Sequence, residues 1–388
     1  MWDRVERNDK WNPEGKNFTL ALHYGRHAQA GSGRASSGAT LPQKATQKYA
    51  NSVVPAAYLY TTIEIEGPVI EHARSNAGSF VRAVRSEIEG AAESTRKALN
   101  RQANGDGLDA LAVTVSGSGT SYVMDDGAGN KNVYLQPGVD TQVDTVDNDA
   151  APDAVIVTNK TATLGAEVAT GFTVTFGSSV TMDVGDYIVL EGTLGKQMTG
   201  LRAIINDADP NTATLAAAGA NAGLQELLVA TNAWWVSQMV GDTANKQDLR
   251  FSLLEKVISK VAKNSPNGKD DIKFILTSFG GQDTYFELCQ NERIAVNTMV
   301  LDGGFEGLEF SGIPIVADPE HWEGYYDFIV PDALKICQIK DVDWMDKDGN
   351  VLFRVSGKDA YEATLFAYMN LGTPMRNSLG ALRGINMV

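Results

Sequence analysis

The sequence holds only two cysteines, Cys289 and Cys337, among 388 residues. Two thiols are too few for a disulfide framework or a cysteine-based zinc site. Histidine is equally sparse at four, and only His23 and His27 are close. They share a face of one extended run, but no cysteine or clustered acid stands beside them to complete a metal site. No apolar stretch approaches the ~20 residues that a membrane helix needs. The start, Met1-Trp2-Asp3-Arg4-Val5-Glu6-Arg7-Asn8, is charged and has no apolar run behind it. No secretory signal is recognisable there, and the expected folding compartment is a cytoplasm. Positive charge is also in deficit, with 33 Lys and Arg against 48 Asp and Glu, net −15. That balance argues against general nucleic-acid affinity.

What remains is an ordinary globular composition, 43% hydrophobic and 21% charged. It excludes collagen, coiled-coil and wholly disordered chains, and at ~150 residues per domain it suggests two or three domains. Charge is unevenly spread. Residues 105–242 carry seventeen acids against four bases, whereas residues 1–50 carry eight bases against four acids. Such contrast points to a modular chain.

Five regions separate by composition and period. Residues 1–16 are polar, lack periodicity and read as an extended arm. Residues 17–68 read as an extended hairpin loop: Asn17–Tyr24 and Tyr58–Glu66 are strand-like, around the small-residue stretch Gly31-Ser32-Gly33-Arg34-Ala35-Ser36-Ser37-Gly38. A connection of about thirty residues far exceeds the usual hairpin loop and generally needs a partner surface to order it. Residues 69–104 hold the clearest helix, from about Ser79 to Asn104, with Phe80, Val81, Val84, Ile88, Ala91, Ala92 and Leu99 at one-face spacing. Ser75 or Ser79 suits its N-cap, and at 1.5 Å per residue it spans roughly 39 Å. Residues 105–242 are rich in Gly, Asp, Thr and Val with short alternating runs such as Phe172–Phe176, the pattern of a small β-barrel or sandwich. Residues 243–388 return to mixed α and β. A helix capped by Asp248 is expected there, then a strand at Ile272–Leu276 and a helix near Gln282–Glu292. Further strands are expected at Leu308–Val316, Tyr326–Val330, Leu334–Ile339, Val351–Val355 and Tyr361–Tyr368.

Catalytic patterns fail one by one. Gly-x-Ser-x-Gly is absent. Gly192-Thr193-Leu194-Gly195-Lys196-Gln197 lacks the spacing and the following Ser or Thr of a phosphate loop, and reads as a hairpin turn. Aligning Gly349 to the sixth position of a calcium loop puts Trp344 and Val355 where carboxylates are required. Asp348-Gly349 reads as a hairpin signal instead. Glu64 and Glu66 alternate with Ile63 and Ile65 and belong to a solvent face. Cys289 and Cys337 sit in apolar surroundings as core residues. Trp234-Trp235 reads as packing at a domain junction. The residues offer no enzyme, no cofactor site and no metal site.

The order of parts, together with three segments, resembles the major capsid proteins of tailed bacteriophages, the Hong Kong 97-type α+β shell fold. The segments are Phe310-Ser311-Gly312-Ile313-Pro314-Ile315-Val316-Ala317-Asp318, Gly357-Lys358-Asp359-Ala360-Tyr361-Glu362-Ala363 and Arg376-Asn377-Ser378-Leu379-Gly380-Ala381-Leu382-Arg383-Gly384-Ile385. The resemblance spans nearly the whole chain. It implies an N-terminal arm (1–16), an extended loop (17–68), the spine helix of a peripheral domain (69–104), and an inserted acidic β-domain (105–242). Residues 243–388 complete the peripheral domain and supply an axial domain near 272–340. It further implies hexamers and pentamers tiling an icosahedral virion shell around double-stranded DNA, assembled in a bacterial cytoplasm without specific DNA contacts. Partners follow from it: a separate scaffolding protein, since Met1 reads as an intact start with no scaffolding segment before the arm; a portal protein; and, in some relatives, a decoration protein.

Subunit contacts are then expected at Trp2 and Arg4 in the arm, at Arg26, Gly31, Gly33, Arg34, Lys44 and Lys48 in the loop, and at Arg82 and Arg85 on the helix. Some family members weld their shells by a lysine–asparagine isopeptide bond made with a buried glutamate. Lys44 and Lys48 lie in the loop, but no asparagine or glutamate matches by motif. Encapsulins, bacterial compartments of the same fold, are the nearest alternative and normally lack a large inserted β-domain. An adhesin or carbohydrate-binding protein built on the β-domain is the alternative from another class, opposed by the missing signal sequence and the long helix.

Overall fold

The computed structural model describes residues 5–8, 16–25, 46–68, 77–107, 110–126, 133–148, 154–205, 224–227, 231–242, 245–291, 298–301, 305–346 and 349–387. At 77–84, 298–301 and 305–307 the description is of the backbone alone. The chain opens with β1 (Glu6–Asn8), β2 (Asn17–Gly25), β3 (Lys48–Pro55) and β4 (Ala57–Glu66). The sequence reading makes Asn17–Tyr24 and Tyr58–Glu66 the two arms of one hairpin. The structure instead pairs β2 with β3 in a two-stranded sheet, Phe18 opposite Val54 and Leu22 opposite Ala50. Phe18, Leu20, Leu22 and Val54 share the inward face of that pair and are buried, so its base is anchored in the main core. β4 is thereby released to pair elsewhere.

The long helix, α1 (Ala77–Asn104), begins two residues before its expected start, and Ser79 lies within it; Ser75, the other expected cap, is outside the described residues. Its buried face differs from the one read from apolar spacing. Ala91, Thr95 and Ala103 are buried, while Ile88 is 37% exposed and Ala92 is on the surface. A polar residue takes the inner position because it has a partner there. The Thr95 hydroxyl donates to the Ala91 carbonyl at 2.8 Å and lies 2.7 Å from the Thr61 hydroxyl on β4.

Next come β5 (Ala112–Asp125), β6 (Thr141–Asp147), β7 (Ala154–Val168), β8 (Gly171–Val180) and β9 (Tyr187–Leu190), closed into a barrel in the order β5-β8-β7-β6-β9. Closure removes free edges. Tyr122, Met124, Val143, Val174, Phe176 and Ile188 fill the interior. The Tyr122 hydroxyl finds its acceptor in the Val180 carbonyl at 2.9 Å. Two acids of this segment are buried as loop clamps. Asp144 accepts from the Asn159 and Gly192 amides at 3.0 and 2.7 Å, and Asp186 from the Asn148 and Asp183 amides at 3.1 and 2.7 Å. The barrel strands end at Leu190. Leu201, Ile204 and Ile205 of α2 (Leu201–Ile205), with Leu224, Trp235 and Val240, pack into the main core. Trp235 is buried and Trp234 packs at its edge, as the junction reading expects.

The remaining chain forms β10 (Gln238–Val240), α3 (Phe251–Asn264), β11 (Phe274–Thr277), α4 (Phe279–Asn291), β12 (Thr298–Leu301), β13 (Phe305–Phe310), β14 (Ile313–Ala317), β15 (Tyr326–Ile329), β16 (Lys335–Trp344), β17 (Phe353–Arg354), β18 (Ala360–Gly372) and β19 (Gly380–Leu382). Asp248 does not cap α3; the cap position is Arg250, with no side-chain bond, and Asp248 accepts from the Asn386 amide at 2.9 Å. The expected strand Leu308–Val316 is two strands. Ser311 (φ 55°) and Gly312 (φ 79°) make the left-handed two-residue turn between β13 and β14. The expected pairing across Asp348-Gly349 does not form, because β16 and β17 each pair with β18 rather than with each other.

Seven strands make one sheet, β10-β19-β15-β11-β14-β13-β12, against which Leu254, Val257, Ile258 and Val261 of α3 are buried. A second sheet runs β1-β16-β18-β17, with β4 also on β18. β4 and β18 match over ten positions, from Ala57 opposite Met369 to Glu66 opposite Ala360. Ala363 and Ala367 leave room for α1 across this face.

Arg376 joins three parts of the chain. Fully buried, it donates from Nε to the Ile204 carbonyl at 2.6 Å and from Nη1 to the Trp235 carbonyl at 2.9 Å. Arg376→Met keeps comparable bulk and strands both carbonyls. The expected loss is about 2–4 kcal/mol of unfolding free energy, read by urea denaturation.

Candidate assembly surfaces

The described part of the arm is fastened to the body from a distance of more than three hundred residues. β1 lies parallel to β16, with Arg7 opposite Ile336, and Val5 is buried in the main core. Glu6 pairs with Lys335, and the Arg7 guanidinium meets the Asp341 carboxylate at 2.9 Å. The hydrogen bond and charge of Lys335 hold the Glu6 carboxyl below its usual range. Desolvation opposes the same shift at Asp341, but the Val342 amide and Arg7 outweigh it and lower that carboxyl too. Sequence reading missed this clasp, because no local pattern links Glu6 to Lys335.

The hairpin β2–β3 leaves the core beyond Leu22. His23 is exposed and packs its ring 5.0 Å from Tyr49. Tyr24 stacks on Trp234 at 4.3 Å with planes 12° apart. Of the residues expected at subunit contacts, Trp2, Arg4, Arg26, Gly31, Gly33, Arg34 and Lys44 lie outside the described residues, as does His27. Lys48 is exposed where β3 begins. Arg82 lies within α1, and Arg85 is exposed there in an ion pair with Glu89 at 2.7 Å. Every residue from Arg85 to Gly90 is exposed, so this stretch of α1 stands clear of the body. Beneath it, Ile63, Ile65, Ile88, Trp344 and Leu352 line an apolar cavity of ≈ 430 Å³.

A larger cleft of ≈ 950 Å³ lies between β4, α1 and the barrel, with Tyr58, Tyr60, Arg101, Tyr134 and Lys196 in its walls. On the far side of α1, Arg202 lies over the Trp322 ring at 3.5 Å and the Tyr325 ring at 4.9 Å. Buried His321 stands beside them, Nε2 3.0 Å from Asp327 Oδ2 and Nδ1 3.1 Å from the Trp322 carbonyl oxygen. Both ring nitrogens are occupied by structural partners.

Among the described residues no cluster of three or more His, Cys, Asp or Glu is placed to hold a metal. Among them, too, no helix is long and apolar enough to cross a membrane. Both cysteines are buried, and burial pushes the Cys337 thiol up to about 12. Glu64 is on the exposed face of β4, where it meets Lys358 at 3.3 Å. Gly192 (φ 70°) and Gly195 (φ 69°) form turns after β9, as expected of that hairpin-like stretch. The arrangement offers surfaces and anchored extensions.

No family profile and no curated protein sequence matches the chain. Its fold does match solved structures. A chain of the cyanophage A-1(L) capsid asymmetric unit superposes with a TM-score of 0.53 at 12% identity, over 98% of this chain and 90% of that one. The fold is that of a phage capsid chain. A capsid chain of an empty GTA particle aligns at a TM-score of 0.49 and 9% identity, over 99% of this chain and 89% of that one. The holo-SrpI encapsulin of Synechococcus elongatus PCC 7942 aligns over 38% of this chain and 53% of its own, at a TM-score of 0.30 and 12% identity. The match to the cyanophage chain spans nearly the whole length of this one.

Two measurements test these surfaces. The native protein is expected to resist iodoacetamide at neutral pH and to react at Cys289 and Cys337 once unfolded. The Glu6 and Asp341 carboxyls are both held below their ordinary range, so each stays ionised to lower pH than a free carboxyl. The clasp therefore stabilises β1 fully above the ordinary carboxylate range and loses that support as pH falls through the lower folded values. Amide exchange within β1, corrected for intrinsic rates, is expected to accelerate below about pH 4 relative to β18.

Proposed function

We propose that this chain is the major capsid protein of a tailed bacteriophage, assembling as hexamers and pentamers into an icosahedral shell around double-stranded DNA. The observation that carries the reading is the match of 98% of the chain to a cyanophage capsid chain at a TM-score of 0.53. The physical layout supports it. An anchored hairpin, a clasped arm and a long helix standing off the body supply contacts that a lone subunit leaves unfilled. Each contact is weak by itself, and multiplicity makes a closed lattice stable. Heterologous contacts of this kind close only when their angles fit.

In this reading the α+β body is of Hong Kong 97 type. α1 is the spine of a peripheral domain together with the β16–β18 sheet, and the seven-stranded sheet is the axial domain. The β5–β9 barrel is an inserted domain. Trp2, Arg4, Arg26, Gly31, Gly33, Arg34, Lys44, Lys48, Arg82 and Arg85 face neighbouring copies. The role is structural and non-enzymatic. A separate scaffolding protein, a portal protein and, on some shells, a decoration protein are its partners. The net charge of −15 suits a wall that encloses DNA without trapping it. Assembly takes place in the host cytoplasm.

Sedimentation and negative-stain microscopy of the chain expressed alone test the proposal. Closed shells or sheets of hexamers and pentamers, megadaltons in mass, are the expected result. A monomer that persists after a candidate scaffold is added overturns it. In assembly-competent protein, Arg85→Ala is expected to reduce shell yield without a measurable change in the subunit's thermal midpoint, because its ion pair is fully in solvent.

A further inference from the structure

β4 is an edge strand. One side pairs with β18 over ten positions, and no other strand among the described residues pairs with the opposite side. Alternate N–H and C=O groups of an antiparallel strand point away from its partner. A ten-residue edge of this kind is a template for a further strand unless it is blunted or covered. The first half of β4, Ala57 to Thr61, forms a wall of the ≈ 950 Å³ cleft, with Ser94 to Gln102 of α1 above it and the barrel opposite. The barrel contributes Leu111, Tyr134 and Leu190, so the cleft has apolar lining as well as an open backbone edge. Tyr58 and Tyr60, 46% and 52% exposed, stand at its mouth.

The charge of the cleft is the opposite of the molecule's. The protein carries net −15, and the barrel-bearing segment is its most acidic part, yet no Asp or Glu is among the described residues lining the cleft. Lys97, Arg101 and Lys196 are there instead. They are held in place: Lys97 by Glu93 at 3.0 Å, Arg101 over the Tyr134 ring at 5.8 Å, and Lys196 by the Gly192 carbonyl at 2.7 Å. The Gln197 amide nitrogen, another donor, is buried without an acceptor.

We propose that this cleft receives an extended, acidic segment of a different polypeptide, which adds to the free edge of β4 as a further strand. Main-chain hydrogen bonds to β4 supply the affinity. Alternate apolar side chains fill the space against Leu111, Tyr134 and Leu190, and acidic ones meet Lys97, Arg101 and Lys196. The chain's own first fifty residues are locally basic and are repelled by this lining. A nucleic acid is the poorer fit. Tyr134 is already covered by Arg101, and Tyr58 and Tyr60 are engaged edge-to-face with Tyr368.

The test uses the full chain and two labelled ten-residue probes, (Glu-Val)5 and (Lys-Val)5, followed by fluorescence anisotropy and amide hydrogen exchange. (Glu-Val)5 is expected to bind and to slow exchange at alternate amides of β4 from Ala57 to Thr61, with (Lys-Val)5 at least about tenfold weaker. Lys97→Glu/Arg101→Glu/Lys196→Glu is expected to reverse that preference. Lys196→Glu alone, at an exposed turn, is the second variant and should weaken (Glu-Val)5 severalfold with unchanged circular dichroism. Equal binding of both probes, absence of binding, or protection confined to other strands overturns the proposal. So does protection of those amides by raising the protein's own concentration, which identifies a second copy as the occupant. The assay needs no assembled particle, so its failure is distinct from failure of the shell reading.

Discussion

The length of β18 is the constraint on which the sheet of β1, β16, β17 and β4 depends. A thirteen-residue strand can serve two partners at once, and β18 takes β16 along one side and β4 along the other. Those partners come from opposite ends of the chain. Small residues at Ala363 and Ala367 let α1 lie across the same sheet. Through β16 the sheet also holds β1, and hence the arm. Asn370, near the end of β18, ties these parts together. Its amide nitrogen donates to the Pro55 carbonyl at 2.6 Å, and its oxygen accepts from the Thr199 amide at 2.8 Å. The hairpin exit, the chain returning from the barrel and the central strand thus meet at one buried side chain.

This arrangement separates rigid from projecting structure. Packed helices and seven strands surround a continuous core, and residues 85–90 of α1 lie exposed beside it. The hairpin and the arm are anchored at their bases by Phe18, Leu20, Leu22 and Val5. Ile88 and Tyr24 are partly exposed in the isolated chain, Tyr24 while stacked on Trp234. The barrel closes on itself and clamps its loops with buried aspartates.

The legible features were those set by local period and composition. The long helix α1, the core placement of both cysteines and the solvent face of Glu64 and Glu66 all follow from spacing, whereas the short strands expected in the acidic segment run to 14 and 15 residues in β5 and β7. The errors also share a cause. Pairing Asn17–Tyr24 with Tyr58–Glu66, reading Asp348-Gly349 as a β16–β17 hairpin and placing Ile88 inside each assumed that a local pattern finds a local partner. In the folded chain the partner was β3, β18 or open solvent. Asp248 failed as a cap for the same reason, since Asn386, far along the chain, claims its carboxylate.

By itself, the sequence determined the kind of element along much of the described chain and the uneven spread of its charge. Those properties live in side-chain type and near-neighbour spacing. Only the tertiary structure decided which strands pair, that one edge of β4 has no partner strand among the described residues, and that three basic residues share one lining. Lys97, Arg101 and Lys196 are unremarkable in sequence and form one lining only because α1 and the turns after β9 come to opposite sides of one cleft. Register and strand order depend on long-range packing, which no window of the sequence contains.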